Sequence, residues 1–316
     1  MSSFLQTIKK QIRFWINSYN FNKVTEIKEQ KVFQNHQELN YVLITLDSCR
    51  YDSLLKADTP ILDSYGKIYS AWTPATYTLP AHISFFTGIL PMVHENIPYL
   101  NRFTKQLFKM HKAGASLGGD SGLKTLNLQA SKKDMIHGLK KLGFYTVGSG
   151  AANWFDKEIL VQNFDDFKYV RAQSAEAQVN YTIKKLFKNA NSKRFFSFIN
   201  FYETHTPYMH YGKDREEYSM NARDHMLFPP QEDEQKKAEL GSKLHDAQIK
   251  AAEHLDSVLG KFFELLPLNT LVILTADHGE AFGEDGFWGH GIYHPLVMNV
   301  PMMCFMISRE KPLLDL

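Results

Sequence analysis

The chain has 316 residues, of which 44% are hydrophobic and 22% charged, as in globular proteins and unlike disordered or collagen-like ones. Its 36 basic and 34 acidic residues give a formal charge of +2, which argues against nucleic acid as a partner. The two cysteines, Cys49 and Cys304, exclude a disulfide framework.

The first predicted element is an amphipathic helix in an N-terminal extension, residues 1–36. Its apolar stripe is Phe4, Leu5, Ile8, Ile12 and Trp15, and its basic residues are Lys9, Lys10 and Arg13. A helix docked on the domain surface is the simpler interpretation, and peripheral contact with a membrane is the alternative. Because neither a secretory signal nor an apolar run of membrane-spanning length is seen, we expect a cytoplasmic protein without a transmembrane segment.

Residues 37–316 predict a single α/β domain. Short apolar runs without alternation, typical of strands buried on both faces, occur at 41–46, 144–150, 195–201, 270–276 and 301–307. Helical patterns lie between them at 131–142, 174–188 and 242–266, and Ser131 with Asp134 resembles a capping box. Strands alternating with helices predict a mainly parallel central sheet flanked by helices on both faces.

Two segments interrupt this alternation. The glycine-rich residues 113–122 lack the spacing of a phosphate-binding or dinucleotide-binding loop, so they predict a plain loop. Residues 209–241 are highly charged and contain Pro229 and Pro230, which predicts an insertion over one edge of the sheet.

Acidic and imidazole side chains follow three of the predicted strands. Asp47 follows the first, Glu203 and His205 follow the third, and Asp277 and His278 follow the fourth. Because ligands of parallel sheets bind beyond the carboxyl ends of the strands, these residues predict a metal site there. The alternative is that Asp47 caps a helix while Asp277 pairs with Arg50.

The stretch "TPATYTLPAHISFFTG" at 73–88 offers a nucleophile. Pro80 fits the first turn of a helix, which places Thr78 at or next to the helix N-terminus, where phosphate or sulfate binds favourably. A metal ion would be needed to activate this hydroxyl. The alternatives are a capping role for Thr78 and Thr76 as the nucleophile.

Four blocks in order resemble the alkaline phosphatase-like superfamily, on its sulfatase-like branch, from about residue 41 to 307. They are "LDSCRYD", "TPATYTLPAHISFFTGILP", "FINFYETHTPY" and "ILTADHGEAFGEDGFWGHG". Sulfatases carry a cysteine or serine, converted to formylglycine, where this chain has Thr78, so no formylglycine is expected. Threonine at this position is similar to the phosphodiesterases and the phosphoethanolamine and phosphoglycerol transferases of the superfamily.

The resemblance also implies a role for each matching residue. The ligands of one divalent metal ion would be Asp47, Thr78, Asp277 and His278, with Zn²⁺ or Mn²⁺ favoured over Ca²⁺ or Mg²⁺ by the mixed donors. Thr78, His205 and His290 would be catalytic, and His82, His205 and His290 would bind substrate, with His82 in place of a signature arginine. The alternative for His82 is a hydrogen-bonded histidine in the core. Glu203 and His294 are the spare ligands for a second metal.

The predicted function is a metal-dependent hydrolase of phosphate esters, phosphodiesters above all, acting through a phospho-threonine intermediate. Its substrate would be a small-molecule, lipid or glycan phosphate ester. The alternatives are a sulfuric ester hydrolase, a phosphoryl-group transferase and, from another class, a non-catalytic binding module that keeps the fold. The sequence leaves the oligomeric state open.

Overall fold

The computed structural model describes residues 39–88, 106–107, 124–125, 134–156, 158–170, 174–190, 193–208 and 233–307. The predicted N-terminal helix and the glycine-rich segment at 113–122 lie outside these residues, as does most of the predicted insertion. The division into an extension and one catalytic domain therefore stays a prediction.

A seven-stranded sheet forms the centre of the described domain. The strands are β1 Asn40–Leu46, β2 Tyr69–Trp72, β3 Gln106–Leu107, β4 Lys124–Thr125, β5 Tyr145–Gly150, β6 Asp166–Tyr169, β7 Phe195–Phe201, β8 Thr270–Thr275, β9 Ala281–Phe282, β10 Trp288–Gly289 and β11 Asn299–Met306. The order in the sheet is β2-β11-β8-β1-β7-β5-β6, and β3 with β4 and β9 with β10 form separate pairs. Neighbouring strands are parallel except that β11 runs antiparallel to β2 and β8, which confirms the mainly parallel sheet.

Eight α-helices are described. They are α1 Tyr51–Lys56, α2 Pro60–Asp63, α3 Thr78–Thr87, α4 Met135–Lys141, α5 Glu158–Val161, α6 Ala175–Asn189, α7 Glu234–Leu265 and α8 Pro295–Met298. None of these helices, within the described ranges, combines the length and apolar character that a membrane crossing requires.

Two predicted helix starts are wrong, and capping explains both. Helix α4 begins after Asp134, whose carboxylate accepts the His137 N–H at 2.8 Å, so Asp134 rather than Ser131 is the N-cap. Helix α7 begins at Glu234, after the N-cap Asp233, so the helix predicted at 242–266 starts earlier and includes the last residues of the predicted insertion. Their glutamate, glutamine, lysine and alanine side chains favour a helix, and their charge signals only solvent exposure.

Helices cover both faces of the sheet, as predicted. On one face, Val42, Ile44 and Leu46 of β1 pack in a core with apolar residues of α6 and α7. On the other, Tyr41 and Leu43 pack against a second core that contains residues of α3 and α4. Successive side chains of β1 point to opposite faces of the sheet, and both of these faces are buried.

Strands β8, β1 and β7 lie side by side at the centre of the sheet. Leu46 of β1 is paired with Phe201 of β7, and Thr45 of β1 is paired with Thr275 of β8, so these strands end at one edge. The chain continues from β1 to Asp47 and from β8 to Asp277. This register places the predicted metal ligands next to each other.

Candidate active site

Three predicted metal ligands, Asp47, Asp277 and His278, converge at the carboxyl edge of the sheet. One ligand atom of each lies within 4.8 Å of the others. His278 Nε2 is 3.8 Å from Asp47 Oδ1 and 3.5 Å from Asp277 Oδ2. All three side chains are fully buried. The structure thus joins two oxygen donors and one nitrogen donor from segments 230 residues apart in the chain, counting from Asp47 to Asp277 (277 − 47).

The orientation of His278 fixes which nitrogen faces this cluster. Its Nδ1 lies 2.9 Å from the carbonyl oxygen of Gly279. Because a carbonyl only accepts, Nδ1 carries the hydrogen, and the lone pair of Nε2 faces the two carboxylates, as in a metal-binding histidine. The following glycine is required, because a Cβ at Gly279 would lie 2.1 Å from the Leu296 carbonyl oxygen.

The carboxylate of Asp277 is only half satisfied by the protein. Its Oδ1 accepts the backbone N–H groups of Ser48 at 3.2 Å and His278 at 3.1 Å, whereas Oδ2 is buried without a hydrogen-bond partner. Burial, reinforced by the charge of Asp47, raises the pKa of Asp277 well above its ordinary value, and burial also raises the pKa of Asp47. A cation between these groups would relieve both penalties.

The alternative that Asp277 pairs with Arg50 is wrong. The Arg50 guanidinium donates to Asp52 at 2.7 Å and to Glu284 at 2.6 Å. Within the described ranges, no lysine or arginine forms an ion pair with Asp277 or Asp47. The unpartnered oxygen, the imidazole lone pair directed at the carboxylates and the absence of a basic partner for them in the described ranges fit a divalent metal ion.

Thr78 lies beside this group. It is the first residue of α3 and is buried, and its hydroxyl oxygen is 3.4 Å from His278 Nε2. Tyr77 occupies the N-cap position, so the capping alternative for Thr78 is wrong. Thr76 lies just before the helix, and its carbonyl accepts the Gly291 N–H at 2.7 Å, which ties this segment to the one that carries His290.

His290 and His205 lie at the same edge. The His290 ring centroid is 4.4 Å from that of His278 and 5.2 Å from that of His205. Both rings are partly exposed, and Gly289 and Gly291, with φ of 85° and 87°, let the backbone turn on either side of His290. The two histidines therefore line the approach to the buried cluster.

Electrostatics differ between these two histidines. Burial lowers the pKa of His205. Burial also acts to lower the pKa of His290, but the charge and hydrogen bond of Glu280 outweigh it and raise that pKa. The Glu280 oxygens lie 3.0 and 3.1 Å from His290 Nδ1, which leaves Nε2 of His290 for another partner.

A sequence profile of the sulfatase family matches residues 40–312, which is most of the chain. The chain belongs to the sulfatase family. It is therefore an enzyme of the sulfatase-like hydrolase or transferase type, built on an alkaline phosphatase-like fold. Among curated proteins, no sequence matches it.

Solved structures of similar fold include phosphoethanolamine transferases. The periplasmic domain of one from Campylobacter jejuni has a TM-score of 0.56 at 16% identity, over 87% of this chain and 81% of that one. The zinc complex of one from Escherichia coli has a TM-score of 0.54 at 13% identity, over 87% and 74%. A candidate sulfatase from Bacteroides fragilis has a TM-score of 0.59 at 16% identity, over 90% and 71%.

At these identities the similarity shows the fold alone. The first two structures are periplasmic domains, so the cytoplasmic location predicted for this member of the sulfatase family stays a prediction. The preference for Zn²⁺ or Mn²⁺ also stays a prediction, because the donor set of Asp47, Asp277 and His278 accepts more than one divalent ion.

Glu203, predicted as a spare ligand for a second metal, faces away from the cluster in this sulfatase-family domain. Its Oε1 accepts the N–H of Ala175, the first residue of α6, at 2.7 Å, and its Oε2 accepts the N–H of Tyr202 at 3.1 Å. Burial, then the charge of Glu176, raises the pKa of Glu203 to about 8. These bonds make it a helix-capping group rather than a metal ligand.

His294, the other spare ligand, is the N-cap of α8. Its Nδ1 accepts the N–H of Leu296 at 3.2 Å, and its Nε2 lies 3.1 Å from Asp285 Oδ2. The one group of potential ligands found among the described residues contains neither His294 nor Glu203. The prediction that these two residues bind a second metal is therefore corrected.

We expect Glu203→Ala to destabilise the enzyme by about 2 kcal/mol, because one buried and one partly buried N–H group lose their acceptor. The metal content at saturation should not change. Calorimetric unfolding and elemental analysis measure the two effects, with Glu203→Gln as a milder variant should the alanine protein not fold. A metal content halved by either substitution would restore Glu203 as a ligand.

His82 does not fit the predicted substrate contact. The ring is fully buried among four phenylalanines, its Nδ1 is 2.8 Å from the Thr78 carbonyl, and its Nε2 is 3.0 Å from the Thr45 hydroxyl. Burial lowers its pKa to about 4, so it stays neutral. Because both nitrogens are occupied, we now assign His82 to holding the first turn of α3 against β1.

Two residues at the site were missed by sequence reasoning. Glu280 lies in the Asp-His-Gly-Glu motif, but no strand end marked it for the role of orienting His290. Gln248 of α7 is fully buried and donates through Nε2 to the carbonyls of Ser48 at 2.8 Å and Thr204 at 3.0 Å, joining the loops after β1 and β7. A signal existed, since Gln248 is a polar residue on the apolar stripe of α7.

Proposed function

We propose that this enzyme cleaves phosphate esters, phosphodiesters above all, through a covalent bond between phosphorus and Thr78. The observation that carries the proposal is the position of the Thr78 hydroxyl, 3.4 Å from His278 Nε2 at the first residue of α3. The free N–H groups of a helix N-terminus favour an anionic phosphoryl group at this point.

The chain's own residues fit a metal cofactor at the same place. Asp47, Asp277 and His278 would hold a divalent ion, with Thr78 as a fourth ligand, and the mixed donors favour Zn²⁺ or Mn²⁺. Such an ion supplies positive charge that favours loss of the threonine proton and offsets charge on the phosphoryl oxygens.

The proposed reaction has two steps. In the first, the Thr78 hydroxyl releases its proton to solvent and its oxygen bonds to phosphorus, while the bond from phosphorus to the leaving alcohol breaks. The leaving oxygen takes a proton from His290 or His205, and the other histidine donates a hydrogen bond to a phosphoryl oxygen. In the second, water attacks phosphorus and the bond from phosphorus to the threonine oxygen breaks. One proton of the water goes to the threonine oxygen, the other returns to the histidine that protonated the leaving alcohol, and a phosphate product leaves.

The chemistry of threonine favours phosphorus over sulfur. Oxidation of a cysteine or serine side chain yields the aldehyde of formylglycine, whereas oxidation of a secondary alcohol such as threonine yields a ketone. Cys49 is fully buried in the turn after β1, and burial raises the pKa of its thiol, so it is neither at the start of α3 nor a ready nucleophile.

Transfer of the phosphoryl group to an alcohol is the second candidate. It is favoured by the fold shared with the phosphoethanolamine transferases of Campylobacter jejuni and Escherichia coli. It differs from hydrolysis only in the acceptor of the second step. The substrates in either case would be phosphate esters of small molecules, lipids or glycans.

A panel of nitrophenyl esters tests the proposal. With Zn²⁺ or Mn²⁺ restored to chelator-treated enzyme, we expect nitrophenyl phosphodiesters to be cleaved at least about tenfold faster than the monoester or the sulfate ester. Fastest cleavage of the sulfate would establish a sulfuric ester hydrolase. A rate that rises with added alcohol, with an alkyl phosphate as product, would establish transfer. No turnover and no metal by elemental analysis would leave a binding module.

A further inference from the structure

Exposed aromatic side chains are concentrated near the candidate site. Four large apolar side chains exposed in the described ranges are aliphatic, namely Leu39, Leu55, Leu142 and Leu268. The four exposed aromatic ones are Tyr69, Trp72, Phe287 and Tyr293, with relative exposures of 39%, 46%, 47% and 40%. They come from two segments only, 69–72 and 287–293, which flank Thr78 and His290 in the chain. Among them, the rings of Trp72 and Tyr293 are in contact, which is more than the single exposed apolar residues that any surface carries.

Direct contacts hold the two segments together beside the cluster of Asp47, Asp277 and His278. Thr73, which follows Trp72, donates its hydroxyl to the carbonyl of Asp277. Beyond His290, the Gly291 N–H bonds to the Thr76 carbonyl. The rings of Trp72 and Tyr293 meet with their centroids 6.3 Å apart. The aromatic surface formed by Trp72 and Tyr293 is therefore continuous with the loops that carry Thr78 and His290.

Polar groups lie on the same face as Trp72. Along β2, Ser70 and Trp72 share one face because strand side chains alternate, and Asn299 of β11 is the register partner of Trp72. The exposed Ser70 hydroxyl donates to Asn299 Oδ1 at 2.6 Å. The surface thus combines aromatic faces with an exposed hydroxyl and a partly exposed amide.

We propose that the Trp72–Tyr293 surface binds a pyranose ring of the substrate, so that the ester cleaved is a phosphate ester of a glycan. The inference rests on the proposed function for the position of the phosphate. A pyranose ring has apolar C–H faces that stack on aromatic rings and equatorial hydroxyls that bond to amides and hydroxyls, which matches this combination. An acyl chain would favour an aliphatic groove, and no aliphatic residue is among the exposed apolar side chains of these two segments.

Three diesters with the same nitrophenolate leaving group test the proposal. The retained alcohol is the primary hydroxyl of glucose, methanol or decanol, so the chemical step is matched. We expect Trp72→Ala to raise KM about tenfold for the glucosyl diester alone, with kcat unchanged, and Trp72→Phe to restore most of the loss. Leu142→Ala, at a 73% exposed residue remote in the chain from both segments, is the control and should change nothing.

Other outcomes would overturn the proposal. A KM for the glucosyl diester unchanged by Trp72→Ala would exclude the sugar site, and a rise confined to the decyl diester would assign the surface to an apolar chain. Equal losses for all three diesters, with a change of oligomeric state by size-exclusion chromatography, would assign it to a second copy of the chain.

A binding experiment separates this proposal from the proposed function. Calorimetric titration with a glucose phosphate requires no turnover. Binding that weakens about tenfold on Trp72→Ala would support the sugar site even if no ester is cleaved. If the enzyme cleaves diesters but Trp72→Ala leaves the affinity for glucose phosphate unchanged, the sugar site is overturned and the proposed function stands.

Discussion

Replacing Thr78 by alanine is expected to lower kcat/KM for a nitrophenyl phosphodiester by about a thousandfold or more, because the variant has no oxygen to bond to phosphorus. The side chain is small and sits at the first residue of α3, so the fold should persist. Thr78→Ser keeps a hydroxyl and should retain much of the activity. Thr76→Ala removes the competing hydroxyl two residues earlier and should have a small effect.

Trapping the intermediate makes this test specific for covalent chemistry. Acid quenching during turnover, followed by mass spectrometry, should show a phosphoryl adduct on the peptide that contains Thr78, and Thr78→Ala should lack it. All assays are run at saturating metal, since Thr78 is also a proposed ligand and its loss weakens metal binding. Diester cleavage by Thr78→Ala at the wild-type rate would refute the nucleophile assignment, as would an adduct on Thr76.

The central sheet and the meeting of Asp47, Asp277 and His278 were predictable for one physical reason. Buried parallel strands are apolar on both faces, so β1, β7 and β8 are visible in the sequence, and the residues that follow them must meet at one edge. The antiparallel direction of β11 was not predictable, because an apolar run does not indicate whether the strand pairs with its neighbours in parallel or antiparallel. Strands β2 and β6 were missed because both lie at the edges of the sheet, where the side chains of β2 are largely exposed and those of β6 are only partly buried.

The errors at the site have a common origin. A buried polar side chain after a strand can bind a metal or satisfy the N–H groups of a helix, and the sequence alone does not distinguish the two. Asp277 and Glu203 both follow central strands, but only Asp277 keeps a buried oxygen without a partner. The contacts of Gln248 were also invisible, because its partners are carbonyl groups, which every residue possesses.

Asp277→Asn should have opposite effects on the metal-free and the metal-bound enzyme. In the absence of metal, burial and Asp47 raise the pKa of Asp277, so this carboxyl ionises more readily in the unfolded chain than in the folded one. The difference destabilises the folded state at every pH above the ordinary carboxyl pKa. An asparagine keeps an oxygen that accepts from Ser48 and His278, and its amide nitrogen can donate to His278 Nε2 in place of the unpartnered Oδ2. The metal-free variant should therefore melt at a higher temperature than the metal-free wild type.

With metal the order should reverse. Loss of a residue that only hydrogen-bonds to a metal ligand weakens metal binding by up to about a hundredfold. Loss of a direct anionic ligand should weaken binding of Zn²⁺ or Mn²⁺ by at least that factor. The rise in melting temperature on adding metal should then disappear at micromolar metal.

Asp256→Asn is the matched control, because Asp256 is a buried carboxylate that caps α2 through the N–H groups of Ile61 and Leu62. Both of its oxygens accept N–H groups and an asparagine offers only one, so Asp256→Asn should destabilise both forms and leave the metal-dependent rise intact. An Asp277→Asn protein that binds metal like the wild type would remove Asp277 from the site. If its metal-free form were less stable, the anionic carboxylate would be stabilising the fold and the inferred repulsion by Asp47 would be refuted.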